Sequence, residues 1–204
     1  RDSFSTAVVL PDENLLLPVL NSIPEKFKSI NVTMGYPITT TPLISFMDLV
    51  KQLQLDVREK NGKICFYHKS LIGVLSHGYI KQISPDGAKK IKERVIKGNL
   101  IYVPQGGDVL ECEDEFLAAL LRVARYPKEI AAYLLNLLAM LDERVDTWER
   151  EFVYQYYLKV KRLDDLDIPM EGKTWFRLLE QLCRGIVVPF KGEPLAGLQV
   201  MGTL

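Results

Sequence analysis

The chain has 204 residues, of which 48% are hydrophobic and 25% charged, a composition typical of a folded globular protein. Lysine plus arginine and aspartate plus glutamate number 26 each, which argues against a strongly basic, free-standing nucleic-acid binder. No apolar run approaches the roughly 20 residues that a membrane-spanning helix needs, and residues 1–5 do not begin a signal-peptide pattern.

The cysteines and histidines predict neither a disulfide framework nor a metal site. Cys65, Cys112 and Cys183 are an odd number and lie far apart in the sequence. The two histidines, His68 and His77, are too few to complete a cysteine–histidine zinc site. We therefore expect no metal ligand in this chain, and free thiols predict a reducing, cytoplasmic compartment.

The first 35 residues have the pattern of a β–α–β unit. Residues 6–10 form a short run with β-branched side chains, which predicts a buried strand that ends at Pro11-Asp12. Apolar residues within 15–23 share one helical face, and residues 30–34 alternate apolar with polar. A β–α–β order is the building unit of a parallel sheet.

The pattern becomes helical after a predicted turn at residues 35–37. Proline at position 42 predicts the first position of a helix that runs to about Arg58. Two short strand-like runs, 99–104 and 109–112, are expected to pair as a hairpin. Further helices are predicted over residues 68–76, 85–97, 114–121, 127–163 and 172–183.

The longest predicted helix starts at Pro127 and carries an apolar seam with alternating steps of four and three residues. Such spacing is typical of helices that pack along a heptad-like stripe. One interpretation is a docking surface for a protein partner; the other is a stripe packed into the core. The seam residues are Leu134, Leu138, Leu141, Val145, Trp148 and Phe152.

One predicted helix, 85–97, is rich in cations that are opposed only by Asp86 and Glu93. A basic helix face can contact the phosphate backbone of DNA, and it can equally be a solvated surface. The candidate DNA-binding residues are Lys89, Lys90, Lys92, Arg94 and Lys97.

The sequence shows no catalytic motif. Gly172-Lys173-Thr174 lacks the upstream glycine and the preceding strand of a phosphate-binding loop. Neither Pro11-Asp12 nor Pro85-Asp86 is followed by an acid and a lysine at the spacing of a PD…(D/E)xK nuclease. We therefore assign no catalytic, cofactor-binding or metal-binding residue to this chain.

The C-terminal region returns to strand patterns at residues 185–189 and 198–202, separated by a predicted turn at residues 191–194. Strand-like ends around a helical middle are typical of a unit inserted into a host sheet. The predicted fold is α/β and mostly helical. A small parallel sheet is built from both chain ends, and a large all-helical insertion lies between them.

The two ends also carry a family resemblance. Residues 6–13, the helix 15–23 and residues 30–37 resemble the opening of the second RecA-like domain of UvrD-type superfamily 1 helicases. Residues 198–204 resemble a strand that begins a later helicase motif, and the helical block resembles an inserted accessory domain. In style the chain is most similar to AddB-like helicase–nuclease proteins of Bacteroides-type bacteria, in the PD-(D/E)XK nuclease family.

The resemblance implies a RecA-like sheet from residues 1–35 and 186–204, with an accessory insertion at residues 36–185. The family's phosphate-binding loop, magnesium-binding motif and nuclease domain do not occur in this sequence, and no nucleotide-sensing arginine lies near Pro11-Asp12-Glu13. The expectation is a non-catalytic piece of a DNA repair and recombination protein whose parent uses ATP and magnesium.

That piece would contact DNA weakly, or a helicase–nuclease partner subunit, and no membrane. Whether the parent is an active enzyme stays open. The alternative is a helical protein–protein interaction module without a nucleic-acid role.

Overall fold

The computed structural model describes residues 7–12, 15–27, 29–166, 168–189 and 197–202. The chain is α/β and mostly helical, as predicted. It divides into two compact units. We call residues 1–41 with 184–204 the terminal unit, and residues 42–183 the inserted unit.

Most of the described helices lie in the inserted unit, and strands occur in both units. The helices are α1 (Leu16–Ser22), α2 (Pro42–Leu55), α3 (His68–Leu75), α4 (Gly78–Ile83), α5 (Pro85–Lys97), α6 (Glu115–Leu120), α7 (Pro127–Asp142), α8 (Thr147–Asp164) and α9 (Gly172–Cys183). The strands are β1 (Ala7–Leu10), β2 (Ile30–Val32), β3 (Gly35–Pro37), β4 (Arg58–Lys60), β5 (Lys63–Tyr67), β6 (Tyr102–Pro104), β7 (Val187–Pro189) and β8 (Leu198–Gly202).

The terminal unit contains a parallel sheet made from both ends of the chain. Its order is β1-β8-β2, so the last strand lies between the first two. In register, Val200 of β8 lies beside Val8 of β1 on one side and Val32 of β2 on the other. The prediction of a partial parallel sheet built from both chain ends is confirmed.

Alternation along these strands explains the packing of the sheet. One face buries an aliphatic cluster of Leu10, Met34 and Val200 against Leu16 of α1. Burying such side chains is the main favourable term in folding. On the opposite face the Asn31 side-chain amide donates to the Gln199 amide oxygen at 2.6 Å.

A second, antiparallel pair completes the terminal unit and corrects one prediction. Residues 35–37 are not a turn but strand β3, which pairs with β7. A Cβ atom at Gly35 would overlap the Val187 side chain, so this close approach requires glycine. The predicted turn at residues 191–194 lies outside the described residues.

The inserted unit is mostly helical, but the prediction that it is all-helical is wrong. It contains an antiparallel sheet of order β4-β5-β6. Helix α2 ends at Leu55, before the predicted end at Arg58, which begins β4 instead. Asn61 and Gly62 turn the hairpin with φ angles of 51° and 71°. Asn-Gly is the favoured pair for such a left-handed two-residue turn.

The predicted hairpin between residues 99–104 and 109–112 is also wrong. Strand β6 pairs with β5, with Val103 opposite Phe66. Residues 108–110 form a short 3-10 turn rather than a strand. The β-pattern of residues 102–104 was correct, but its partner lies much earlier in the chain.

The predicted long helix from Pro127 to residue 163 is two helices, α7 and α8, which pack against each other. Asp146 begins α8 by accepting a hydrogen bond from the Glu149 backbone N–H at 2.8 Å. The seam is therefore not one continuous stripe. Its members Leu134, Leu138, Leu141 and Phe152 are buried in the inserted unit and do not form a docking surface.

A buried glutamine ties a loop to α2 in the core of the inserted unit. The Gln54 side chain donates to the Arg122 carbonyl at 2.8 Å and accepts from the Ala124 N–H at 3.0 Å. Such bonds satisfy backbone groups that would otherwise be buried without partners. None of the helices formed by the described residues combines the length and the apolar character needed to cross a bilayer.

Candidate functional site

All five predicted DNA-binding residues lie on α5. The helix begins with Pro85 at its first turn and an acidic Asp86 beside it, which suits the positive end of the helix dipole. Its apolar face, with Ala88, Ile91 and Val95, is buried. The cations therefore occupy the remaining surface of the helix, but they lie in different environments.

Arg94 has a structural role. Its Nη1 donates to the carbonyl oxygens of Asp108 and Glu111, each at 2.9 Å, and weakly to that of Val109 at 3.4 Å. Guanidinium groups suit such a task because they offer several donors in a fixed plane. This side chain holds the 3-10 turn beside α5. Its Nη1 atom is already committed to these carbonyls.

Lys90 and Lys97 face carboxylates. The Lys97 Nζ lies 3.7 Å from a Glu93 carboxylate oxygen one turn earlier. Lys90 lines a cleft of about 590 Å³ between α5 and residues 111–114. The other charged side chains lining this cleft are Asp86, Arg94, Glu111, Glu113 and Asp114. Carboxylates outnumber cations here, so this side of α5 does not favour a polyanion.

Lys89 and Lys92 lie on the other flank of α5. Lys89 is exposed and Lys92 is half-buried. Within the described part of the chain, no ion pair or hydrogen bond reaches the Nζ of either lysine. Ile96 follows one turn after Lys92 and is 66% exposed. Residues spaced by three and four share one helix surface, so these three side chains form a continuous stripe.

The cleft also contains a thiol, that of Cys112, which is half-buried. Burial raises its pKa, and the nearby Asp114 carboxylate adds to the rise. The thiolate is the nucleophilic form of cysteine, and a raised pKa keeps it scarce at neutral pH. Cys112 is therefore poorly suited to nucleophilic catalysis in this environment.

His77 and Ser45 lie within hydrogen-bond distance but in the wrong arrangement for a catalytic pair. The His77 Nδ1 accepts from the Tyr79 backbone N–H at 3.2 Å, which caps the start of α4. The Ser45 Oγ donates to the Pro42 carbonyl at 2.8 Å and lies 3.0 Å from His77 Nε2. With Nδ1 accepting, the neutral ring carries its proton on Nε2 and donates it to Ser45.

Burial lowers the pKa of His77, and the positive charge of Lys81 lowers it further. The ring also packs against Phe46, with centroids 5.2 Å apart. Its neutral form thus serves to cap α4 and to fill space beside the core. The geometry assigns it a structural role.

Close to this histidine, Tyr79 buries a hydroxyl group that makes no hydrogen bond of ordinary geometry with the described residues. Burial raises the pKa of Tyr79, and the Glu149 carboxylate raises it further. Burial likewise raises the pKa of Glu149. The Tyr79 hydroxyl opposes this rise in pKa, and a second carboxylate, that of Asp146, adds to it. These groups lie where the start of α8 approaches α4.

No group of three or more histidine, cysteine, aspartate or glutamate side chains in the described part of the chain is placed to hold a metal ion. A comparison with protein-family models finds no match, and a comparison with curated protein sequences also finds none. The helicase resemblance therefore depends on the chain's own residues, and it stays a prediction.

Sequence reasoning found α5 but missed how its cations divide. The acidic run at residues 111–115 was visible in the sequence, yet nothing in its pattern indicates that it lies beside Lys90. The bonds of Arg94 to backbone carbonyls leave no sequence signal, because any residue supplies a carbonyl. The exposure of Ile96 was missed because an isoleucine in a helix is usually assigned to the core.

Proposed function

We propose that this chain is a non-catalytic part of a DNA repair and recombination protein of the helicase–nuclease kind. In this role it contributes contacts to DNA or to a partner subunit. The observation that carries the proposal is the β1-β8-β2 order, in which a strand from beyond the inserted unit completes a parallel sheet begun before it. This arrangement supports the analogy with a RecA-like domain that holds an accessory insertion.

The proposal concerns a class of role, contact with DNA or with a partner subunit, and no particular reaction. Nucleotide and magnesium chemistry is assigned to the parent protein. The described cysteines, Cys65, Cys112 and Cys183, are all free thiols, which supports a reducing, cytoplasmic location. In this proposal DNA contact falls to the lysines of α5.

DNA binding is tested by fluorescence anisotropy with labelled duplex–single-strand junctions over a series of salt concentrations. Lys89, Lys90 and Lys92 are reversed to glutamate together. The control reverses Lys63, Lys161 and Lys173, which are exposed lysines on other elements, so that both variants have the same net charge.

The proposal expects weak, salt-sensitive binding that falls about tenfold or more in the α5 variant and much less in the control. Equal losses in both variants would show that only net charge matters. Absence of binding to every DNA geometry at low salt would remove DNA from the proposal. The contact role would then fall to the partner subunit.

A further inference from the structure

The stripe of Lys89, Lys92 and Ile96 combines two properties that a DNA-backbone contact does not need together. Its lysines have no acidic partner among the described residues, and its isoleucine is 66% exposed. Ile96 is more exposed than any other large aliphatic side chain described. Phosphate contacts require only the cations, because the DNA backbone offers no apolar surface that matches an isolated isoleucine.

The packing of α5 explains why the stripe remains exposed to solvent. The helix already buries Ala88, Ile91 and Val95, so its hydrophobic requirement is met without Ile96. An isoleucine that stays exposed does not contribute the favourable free energy that its burial away from water would give. A single exposed aliphatic residue needs no explanation by itself. Ile96, however, lies four residues after Lys92, which lies three residues after Lys89, and neither lysine has an ion pair among the described residues.

The opposite flank of α5 is a natural internal comparison. There Lys97 pairs with Glu93, Lys90 faces a carboxylate-lined cleft, and Arg94 donates to backbone carbonyls. On that flank Lys97 and Arg94 have local partners and Lys90 lines a cleft rich in carboxylates, whereas no ion pair among the described residues reaches the stripe lysines. A ligand with negative charge therefore suits the stripe better than the carboxylate-lined flank.

From these observations we infer that the stripe is a docking surface for an acidic segment of a partner protein, one that places an aliphatic side chain against Ile96. Carboxylates on the segment pair with Lys89 and Lys92, and the aliphatic side chain removes Ile96 from water. This inference is independent of DNA binding, because it requires Ile96 and does not require Lys90.

The test uses the full chain and a fluorescein-labelled amphipathic peptide of leucine and glutamate. Matched peptides replace leucine with serine, or glutamate with lysine. Binding is followed by fluorescence anisotropy, with the same duplex–single-strand DNA junctions and vesicles containing phosphatidylserine as competing probes. The leucine–glutamate peptide is expected to bind, and both matched peptides are expected to bind at least about tenfold more weakly.

Three variants separate the contributions of Ile96, the stripe lysines and Lys90 to peptide binding. Ile96→Ser is expected to weaken peptide binding about tenfold while leaving DNA binding unchanged. Lys89→Glu with Lys92→Glu is expected to weaken peptide binding about tenfold or more. Lys90→Glu, on the opposite flank of the same helix, is expected to leave peptide binding within about twofold. Circular dichroism checks that each variant keeps its fold.

The inference is overturned if the peptide does not bind at low salt, if Ile96→Ser has no effect, or if Lys90→Glu weakens binding as much as the double variant. Preference for vesicles over the peptide would also overturn it, because the stripe would then be a membrane-surface contact. Peptide binding without any DNA binding would leave this inference intact while removing DNA from the proposed function.

Discussion

The two three-stranded sheets formed by the described residues have edge strands of opposite character. In the inserted unit, β4 has the charged sequence Arg58–Lys60, and β6 ends with Pro104. Charges and proline on edge strands discourage pairing with other chains. In the terminal unit, the described outer strands are aliphatic: Val9 of β1 is 52% exposed and Ile30 of β2 is 39% exposed. The inserted unit has the features of a self-contained body, and the parallel sheet lacks them.

The sharpest test of this comparison is to separate the two units. We expect residues 42–183 alone to fold and to unfold cooperatively, because this segment has its own buried core and its first and last helices, α2 and α9, pack together. The terminal segments joined by a short linker are expected not to fold alone. Far-ultraviolet circular dichroism with urea titration measures both, and a stable terminal piece would reverse the comparison.

Truncating a side chain is expected to cost much more stability at a core position of the inserted unit than at an exposed edge of the terminal unit. Phe46 is fully buried in the inserted unit and packs against Phe116 with ring centroids 6.4 Å apart. We expect Phe46→Ala to lower the free energy of unfolding by about 3–5 kcal/mol. The control, Val9→Ala on the exposed edge of β1, is expected to cost less than about 1 kcal/mol. Chemical denaturation provides both values, and similar costs would contradict the assignment of the main core.

A smaller effect is expected from the internal ties of the inserted unit. Gln54→Leu keeps the side-chain size but leaves the Arg122 carbonyl and Ala124 N–H without their partner. We expect a loss of about 1–3 kcal/mol in the free energy of unfolding, with faster hydrogen exchange in residues 121–126. Gln52→Leu, at an exposed position of the same helix, should stay within about 0.5 kcal/mol. Equal losses of stability in the two variants would show that the Gln54 hydrogen bonds do not stabilise the fold.

The smallest expected effect is a pH dependence confined to the inserted unit. Because the folded-state pKa of His77 lies below its ordinary value of 6.5, the folded protein binds this proton less readily than the unfolded chain. Its contribution to stability is therefore complete above pH 6.5 and is lost as pH falls towards the lowered pKa.

His77→Asn keeps a good helix-capping side chain but removes the titration. Between pH 7 and pH 5, the midpoint temperature of thermal unfolding should fall less steeply in this variant than in the original protein. An unchanged slope would mean that other groups control the acid sensitivity.

The sequence was informative where a pattern has one physical meaning. Alternation and β-branched residues located β1, β2 and β8, and the similarity of the two ends predicted that they share a sheet. The pattern was misleading where one long helix and two separate helices would bury the same apolar residues. Apolar spacing continues from Leu141 to Phe152 across the break between α7 and α8, because both helices face one core. Asp146-Thr147 was the readable signal of a new helix start.

The candidate surface was predictable only in part. Composition and helical spacing located the cations of α5, but their environments depend on segments that are distant in sequence. The Asn61-Gly62 turn was a missed local signal, because charged residues on both sides concealed the short strands. The different environments of the two flanks of α5 depend on the position of residues 108–114, which no local pattern encodes.

The central place of β8 has a consequence for the timing of folding. Strands β1 and β2 do not pair with each other; each pairs with β8, which is the last described strand of the chain. At ribosomal speeds of about 5–20 residues per second, the first two strands wait on the order of ten seconds or more for their shared neighbour. The inserted unit emerges completely during that interval. The described parallel sheet therefore cannot close until β8 is available, and before then the aliphatic strands β1 and β2 lack their shared neighbour.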